Sequence, residues 1–211
     1  MSIISLEKIC KKFDDKIIFQ NFCLEIDKGA FVSVMGASGA GKSTLLNIIG
    51  LLEKPDSGEI IIHGVKNANI YNKDGRILLR NNIAYLFQNY GLIENETVFY
   101  NMAISARFRK LTKLQKSNTI SNALEKVGLS GFESKKVFKL SGGEQQRVAL
   151  AKIMVKSSDI ILADEPTGSL DDNNKVAILE ILRNMNREGK TVIVVTHDEV
   201  VSQYASKKIN I

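Results

Sequence analysis

Apolar residues along the chain recur at two spacings, and the changes between them divide the chain into elements. Dense apolar runs rich in β-branched residues at 17–26, 31–35, 59–62, 83–87, 159–163 and 191–196 predict strands. Recurrence at helical spacing predicts helices over 42–49, 97–107, 112–127, 142–155 and 173–187. Strands come first, helices crowd the middle, and strand, helix, strand close the order. That order predicts an α/β core carrying an inserted helical lobe. Pro55, Asp56, Ser57 and Gly58 form a turn between the first helix and the next strand. Pro55 and Pro166 are the only prolines, and no Gly/Ser-rich linker, repeat or low-complexity stretch interrupts the 211 residues. One domain over 1–211 is expected, a length sufficient for one good core and short for two.

A hydrophobic fraction of 44% with 25% charged residues is that of a globular chain, which excludes disordered, collagenous and membrane-embedded classes. No apolar run reaches the ~20 residues of a membrane span. A membrane role therefore requires a partner. The first 13 residues mix Glu7, Lys8, Lys11 and Lys12 among apolar positions, so no secretory signal is expected. Cys10 and Cys23 lack metal-ligand spacing and read as small core residues in a reducing compartment, with neither disulfide nor metal. The net charge of +6 raises nucleic acid or an anionic membrane surface as partners, yet no basic block exists. The densest stretches, 107–116 and 135–139, space their charges as a solvated amphipathic helix face would, with docking near anionic lipid the second reading.

The chemistry begins where the strand 31–35 runs into Gly36, Ala37, Ser38, Gly39, Ala40, Gly41, Lys42 and Ser43, followed by a helical stretch from Thr44. This is the G-x-x-x-x-G-K-[ST] phosphate loop in its strand-to-helix setting. Its glycines let backbone N–H groups turn inward, and the helix start adds partial positive charge to hold β- and γ-phosphates. Lys42 supplies a full charge and Ser43 a hydroxyl for Mg²⁺. The strand 159–163 ends in Asp164 and Glu165. With a phosphate loop upstream, Asp164 belongs beside the Mg²⁺ on Ser43, and Glu165 belongs towards the γ-phosphate, where a carboxylate orients and deprotonates water. The strand 191–196 leads to His197, which alone carries little weight.

A second anion site stands at Leu140, Ser141, Gly142, Gly143 and Glu144, ahead of another amphipathic helix. Ser141 with Glu144 three residues on forms a capping-box pattern, and the glycines leave N–H groups bare. One ATP in one phosphate loop does not need it. Here the chain resembles the ATP-binding-cassette ATPases, whose signature is L-S-G-G-[EQ], and the 122 residues separating Lys42 from Asp164 fit that family. The resemblance implies a phosphate-loop NTPase core with an N-terminal antiparallel β-subdomain and an inserted α-helical subdomain near 89–157. It also implies a homodimer in which Ser141, Gly142, Gly143 and Glu144 of one copy close on the ATP of the other.

By the same resemblance Phe13 stacks on adenine, and Gln88 contacts Mg²⁺ and the attacking water and senses the transmembrane partner. Ser169, Leu170 and Asp171 cross the dimer interface, and His197 touches the γ-phosphate. Ala37 and Ala40 stand where many relatives have Pro and Ser, with side chains expected to face away from the phosphates. The stretch from Phe87 to Leu92 with Thr97, Val98 and Asn101 is similar to a branch of lipoprotein-release, macrolide-export and cell-division ATPases, and 88–95 resembles bacteriocin-export members. The implied function is an ATPase subunit, cytoplasmic and peripheral at the membrane, powering a separate permease. Nucleic-acid ATPases with the same signature carry long coiled coils or zinc modules between the halves, which this spacing does not accommodate, so no nucleic acid is expected. Ribosome-acting relatives carry two cassettes, and a signalling module without turnover would not need Glu165 and His197. The 14 residues after His197 predict no regulatory domain.

Overall fold

The computed structural model describes residues 1–168 and 171–211. Strands β1 (Ser2–Phe13) and β2 (Lys16–Asp27) form a hairpin, and β4 (Ser57–Ile62) and β5 (Val65–Lys66) extend it into an antiparallel sheet ordered β2-β1-β4-β5. A second sheet, ordered β6-β7-β8-β3-β9, comprises β6 (Ile83–Leu86), β7 (Ile160–Asp164), β8 (Thr191–Val195), β3 (Phe31–Met35) and β9 (Lys207–Asn210). Its pairs are all parallel. A parallel sheet is stable when both faces are covered, which is why β8, Thr-Val-Ile-Val-Val, is apolar without alternation and buried throughout.

Helix α1 (Lys42–Ile49) covers one face, with Leu45, Leu46, Ile48 and Ile49 packed between the two sheets. The other face takes α6 (Asp172–Arg187) through Ile178, Leu179, Leu182 and Met185. It also takes α5 (Gly142–Lys156) through Ala149, Leu150 and Ile153. The opposite side of α5, with Val148, Ala151 and Val155, enters a separate core with α3 (Val98–Ser105) and α4 (Lys113–Lys126). A helix apolar on opposite sides is buried, and α5 joins the helical lobe to the sheet. Among the described residues no helix is long and apolar enough to cross a membrane.

The expected strands and helices all form, with ends shifted by a few residues at most, and β3 and α1 coincide with expectation. Two long elements were not anticipated. In β1, register shifts between Leu6 and Ile9 and between Ile9 and Lys11 break the two-residue alternation, and Lys8 takes a left-handed φ of 50°. Charged residues thus appear out of phase although Ile3, Ile4, Leu6 and Ile9 are core. Lys11 itself is buried, its ammonium 2.7 Å from Glu53 Oε1 and donating to the Lys54 carbonyl at 3.0 Å. Helix α2 (Lys73–Asn81) buries Gly75 and Leu78 and packs Leu79 against the core, an apolar side too short to stand out in the sequence. The short α7 (Glu199–Gln203) was also missed.

Two readings are corrected. Cys10 is half-buried and Cys23 exposed. Their sulfurs accept backbone N–H groups of Asn21 and Lys8, at 3.4 and 3.2 Å, beside the irregular pairings of the hairpin. They are not core residues. The basic stretches lie along helix faces only in part. Helix α3 stops at Ser105, and Thr112 starts α4 afresh through a capping box with Gln115, which leaves Arg107, Arg109 and Lys110 outside both helices while Lys113 and Lys116 belong to α4. Around Lys135 and Lys139 there is only one 3₁₀ turn, Val137–Lys139.

Candidate functional site

Three adjacent parallel strands, β7, β8 and β3, deliver the chemistry at their C-terminal ends, the edge at which open α/β sheets bind ligands. After β3 the loop 36–41 wraps back into α1. Gly41, the N-cap, has φ 102°, and a Cβ there would stand 2.5 Å from Ile18 Cγ2, so only glycine brings the loop this close to β2. Lys42 Nζ donates to the carbonyls of Gly36 and Ala37, each at 2.9 Å, and the Ala40 N–H closes a turn on Ala37 at 3.2 Å. Helix α1 has no side-chain cap, and first-turn N–H groups have no intrahelical acceptor.

After β7, Asp164 Oδ1 accepts the Ser43 hydroxyl at 3.2 Å. Burial pushes the Asp164 carboxyl above its usual range; the Ser43 hydrogen bond opposes this, and the charge of Glu165 adds to it. Two hard oxygen donors side by side, one a carboxylate deprived of water, fit Mg²⁺ by donor chemistry. Glu165 follows at φ 45°, a left-handed conformation costly for a residue with a Cβ. Its carboxylate is doubly held: Oε1 lies 2.8 Å from His197 Nδ1, and Oε2 accepts the buried Thr196 hydroxyl at 3.2 Å.

One cavity of about 430 Å³ is lined by Phe13, Lys16, Ile18, Ser38, Gly39, Gly41, Lys42, Ser43, Thr44, Asp164, Glu165 and Val195. The cavity thus brings together Phe13, much of the phosphate loop and the acidic pair Asp164 and Glu165. Gly36, Ala37 and Ala40 form the loop beneath Lys42 and do not line this space. Phe13 is 44% exposed, open to a planar ligand, with the Lys11 ammonium 4.8 Å from its ring. Gln88 is exposed in an adjoining cavity that shares Asp164 with Asn47, Tyr85 and Phe87.

Ser141, Gly142, Gly143 and Glu144 are not among that lining. They begin α5, where the Ser141 hydroxyl accepts the Glu144 N–H at 3.3 Å and Glu144 Oε2 accepts the Ser141 N–H at 2.7 Å. The latter bond holds the Glu144 carboxyl below its usual range. Asp171 caps α6, accepting the Asn174 N–H at 3.0 Å. Ser169 and Leu170 lie outside the described residues.

Sequence reasoning missed Lys16, Ile18 and Thr196. Lys16 pairs with Phe13 across the hairpin and donates to the Gly39 carbonyl at 3.1 Å. Recognising β1 would have exposed it, because the turn Asp14-Asp15 sets Phe13 opposite Lys16.

Residues 19–168 match the ABC transporter family. The chain belongs to that family. Macrolide export ATP-binding/permease protein MacB of Campylobacter jejuni is 36% identical over 209 residues, covering 99% of this chain and 33% of that protein. The chain thus spans about a third of the length of such relatives. An uncharacterized ABC transporter ATP-binding protein of Methanocaldococcus jannaschii is 38% identical over 205 residues, covering 97% of this chain and 92% of it. Among solved structures, a dimeric ATP-binding cassette in a post-hydrolysis state bound to ADP and Pi superposes with a TM-score of 0.88. It is 36% identical, with 99% of this chain and 94% of that one covered. The two sheets and the helical lobe are those of an ABC ATPase, in the macrolide-export branch, and this domain binds and hydrolyses ATP.

Proposed function

We propose that two copies of this ABC ATPase close head to tail on two ATP molecules and thereby drive a separate transmembrane permease. The observation that carries this reading is the separation of two anion-binding helix starts. The start of α1 opens into the phosphate-loop cavity, whereas the signature start of α5 faces elsewhere on the same chain. A second copy supplies the missing half of each site.

In this arrangement Phe13 stacks on the adenine. The Lys42 ammonium and first-turn N–H groups of α1 hold the β- and γ-phosphates. Ser43 and Asp164, with Gln88 beside them, would hold Mg²⁺, which would supply neutralisation of the phosphate charge. Glu165 accepts a proton from the attacking water, and His197, bonded to Glu165, reaches the γ-phosphate. From the partner, Ser141, Gly142 and Gly143 cap that phosphate, Glu144 keeps their helix start ordered, and Asp171 crosses between the copies. The helical subdomain near 89–157 carries this capping edge. The protein acts at the cytoplasmic face of the membrane through its permease. The likeness of 88–95 to bacteriocin-export members makes a peptide, bacteriocin or other hydrophobic compound the exported cargo.

Mixing Lys42→Ala with Gly142→Asp tests the shared site. A Cβ at Gly142 meets only the Tyr90 hydroxyl at 3.7 Å, an ordinary contact, so the aspartate variant is expected to fold. Each variant alone should fail to trap labelled ATP. In a mixed dimer both defects fall in one site and the other is intact, so trapping should partly return. No recovery at any ratio would mean that each copy works alone.

A further inference from the structure

The first turn of α6 touches the segment that follows β8. Lys175 Nζ lies 2.6 Å from Asp198 Oδ2, with the two side chains only 21% and 22% exposed. The other Asp198 oxygen accepts the Val200 N–H at 2.8 Å, and the Asp198 N–H donates to Thr196 Oγ1 at 3.0 Å. His197 is therefore fixed from both sides. Before it, Thr196 donates to Glu165; after it, Asp198 is tied to Lys175. Lys175 stands on a braced helix start, because Asn174 donates from Nδ2 to Asp171 Oδ2 at 2.6 Å and accepts from Arg147 of α5 at 2.8 Å.

We infer that Lys175 is a positioning residue for ATP hydrolysis: by clamping Asp198 it fixes the backbone at His197 and, through it, the 2.8 Å contact between His197 and Glu165. An ion pair largely shielded from water is held more firmly than an exposed one. The Lys175 hydrogen bond also holds the Asp198 carboxyl below its usual range. Without the clamp, Asp198 keeps its place at the start of α7, but the segment gains freedom where small displacements of a catalytic group are costly. Phe13, Lys42 and Ser43, which hold the adenine, phosphates and Mg²⁺ on the proposed reading, stand on other elements, so loss of the clamp should change nucleotide affinity little even though His197 reaches the γ-phosphate.

The inference rests on Glu165 and His197 acting in hydrolysis, and the experiment separates the two. Lys175→Met, Lys175→Arg, the exchange Lys175→Asp with Asp198→Lys, and Glu165→Gln are compared with wild type. The measurements are steady-state kcat and KM, affinity for a fluorescent ATP analogue, and melting temperature. Lys175→Met should lose about tenfold in kcat, with KM and nucleotide affinity within about twofold of wild type. Lys175→Arg should recover most of the loss, and the exchange part of it. An unchanged kcat in Lys175→Met beside an inactive Glu165→Gln overturns the positioning role alone. A fall in kcat matched by equal falls in affinity and melting temperature, without rescue by arginine, also overturns it, leaving a structural staple. Full hydrolysis by Glu165→Gln overturns the reading of the pair itself. If Lys175→Met does not fold, the arginine and exchanged variants decide by whether kcat follows the restored pair.

Discussion

Two helices of this protein begin after glycine-rich segments, and they begin differently. Helix α1 starts at Gly41 with no side-chain cap, whereas α5 starts at Ser141 with both halves of a capping box formed. At α1 the backbone donors are left for a ligand that brings its own negative charge into a cavity beside Lys42. At α5 the Ser141 N–H is satisfied internally by Glu144, which rigidifies the helix start. On the proposed reading one end binds the nucleotide and the other is presented to it.

The largest effect tests the binding end. Glu165→Gln keeps size and removes the carboxylate proposed as the base, so ATP hydrolysis should fall by at least about a hundredfold while ATP still binds. Size-exclusion chromatography with ATP and Mg²⁺ should then show dimer, and a purely monomeric profile would break the head-to-tail reading.

Next comes Asp164, whose carboxyl is raised by burial. A carboxyl with a folded pKa above its unfolded one weakens the fold when ionised and relieves that cost as pH falls through the raised value. Asp164→Asn should therefore raise the melting temperature without Mg²⁺ at neutral pH and abolish the Mg²⁺-dependent part of stabilisation by ATP. Lowering the pH should narrow the difference between variant and wild type in Mg²⁺-free buffer. A variant that melts lower at neutral pH without Mg²⁺ would contradict the burial argument.

The presented end is sharpened by a matched pair. Ser141→Ala and Thr112→Ala each remove one capping box, costing about 1 kcal/mol and roughly 2–4 °C in melting temperature. Only Ser141→Ala should also reduce ATPase activity, since α4 faces no nucleotide. Equal activity in both would reduce the start of α5 to scaffolding. The smallest effect belongs to Phe13→Ala, which should weaken ATP by about 1 kcal/mol, the range for an aromatic stack, with tripolyphosphate affinity unchanged.

What the chain announced in advance is what lies close together along it. The phosphate loop fills consecutive positions between β3 and α1, and the capping box spans Ser141 to Glu144. The acidic pair ends a strand, so each could be read locally. The aromatic Phe13 and His197 needed the family resemblance, because neither carries a local pattern. What stayed hidden depends on tertiary contact. Lys16 reaches Gly39 only because β1 and β2 pair through irregular registers, and Thr196 meets Glu165 only because β7 and β8 are neighbours. Lys175 and Asp198 are brought together by the packing of α6 against the sheet. Cys10 and Cys23 misled for the same reason, since only the paired hairpin shows their sulfurs accepting backbone N–H groups.

Helix α5 has a mechanical consequence. Its 15 residues make a rod about 22 Å long, gripped along one side by the helical lobe and along the other by the sheet and α6. A rod held on both flanks does not bend freely, so a force tilting the lobe would reappear as travel of the tip at Ser141. The small side chains Ala149 and Ala151 keep both grips close, and enlarging either would jam the rod as well as crowd the core.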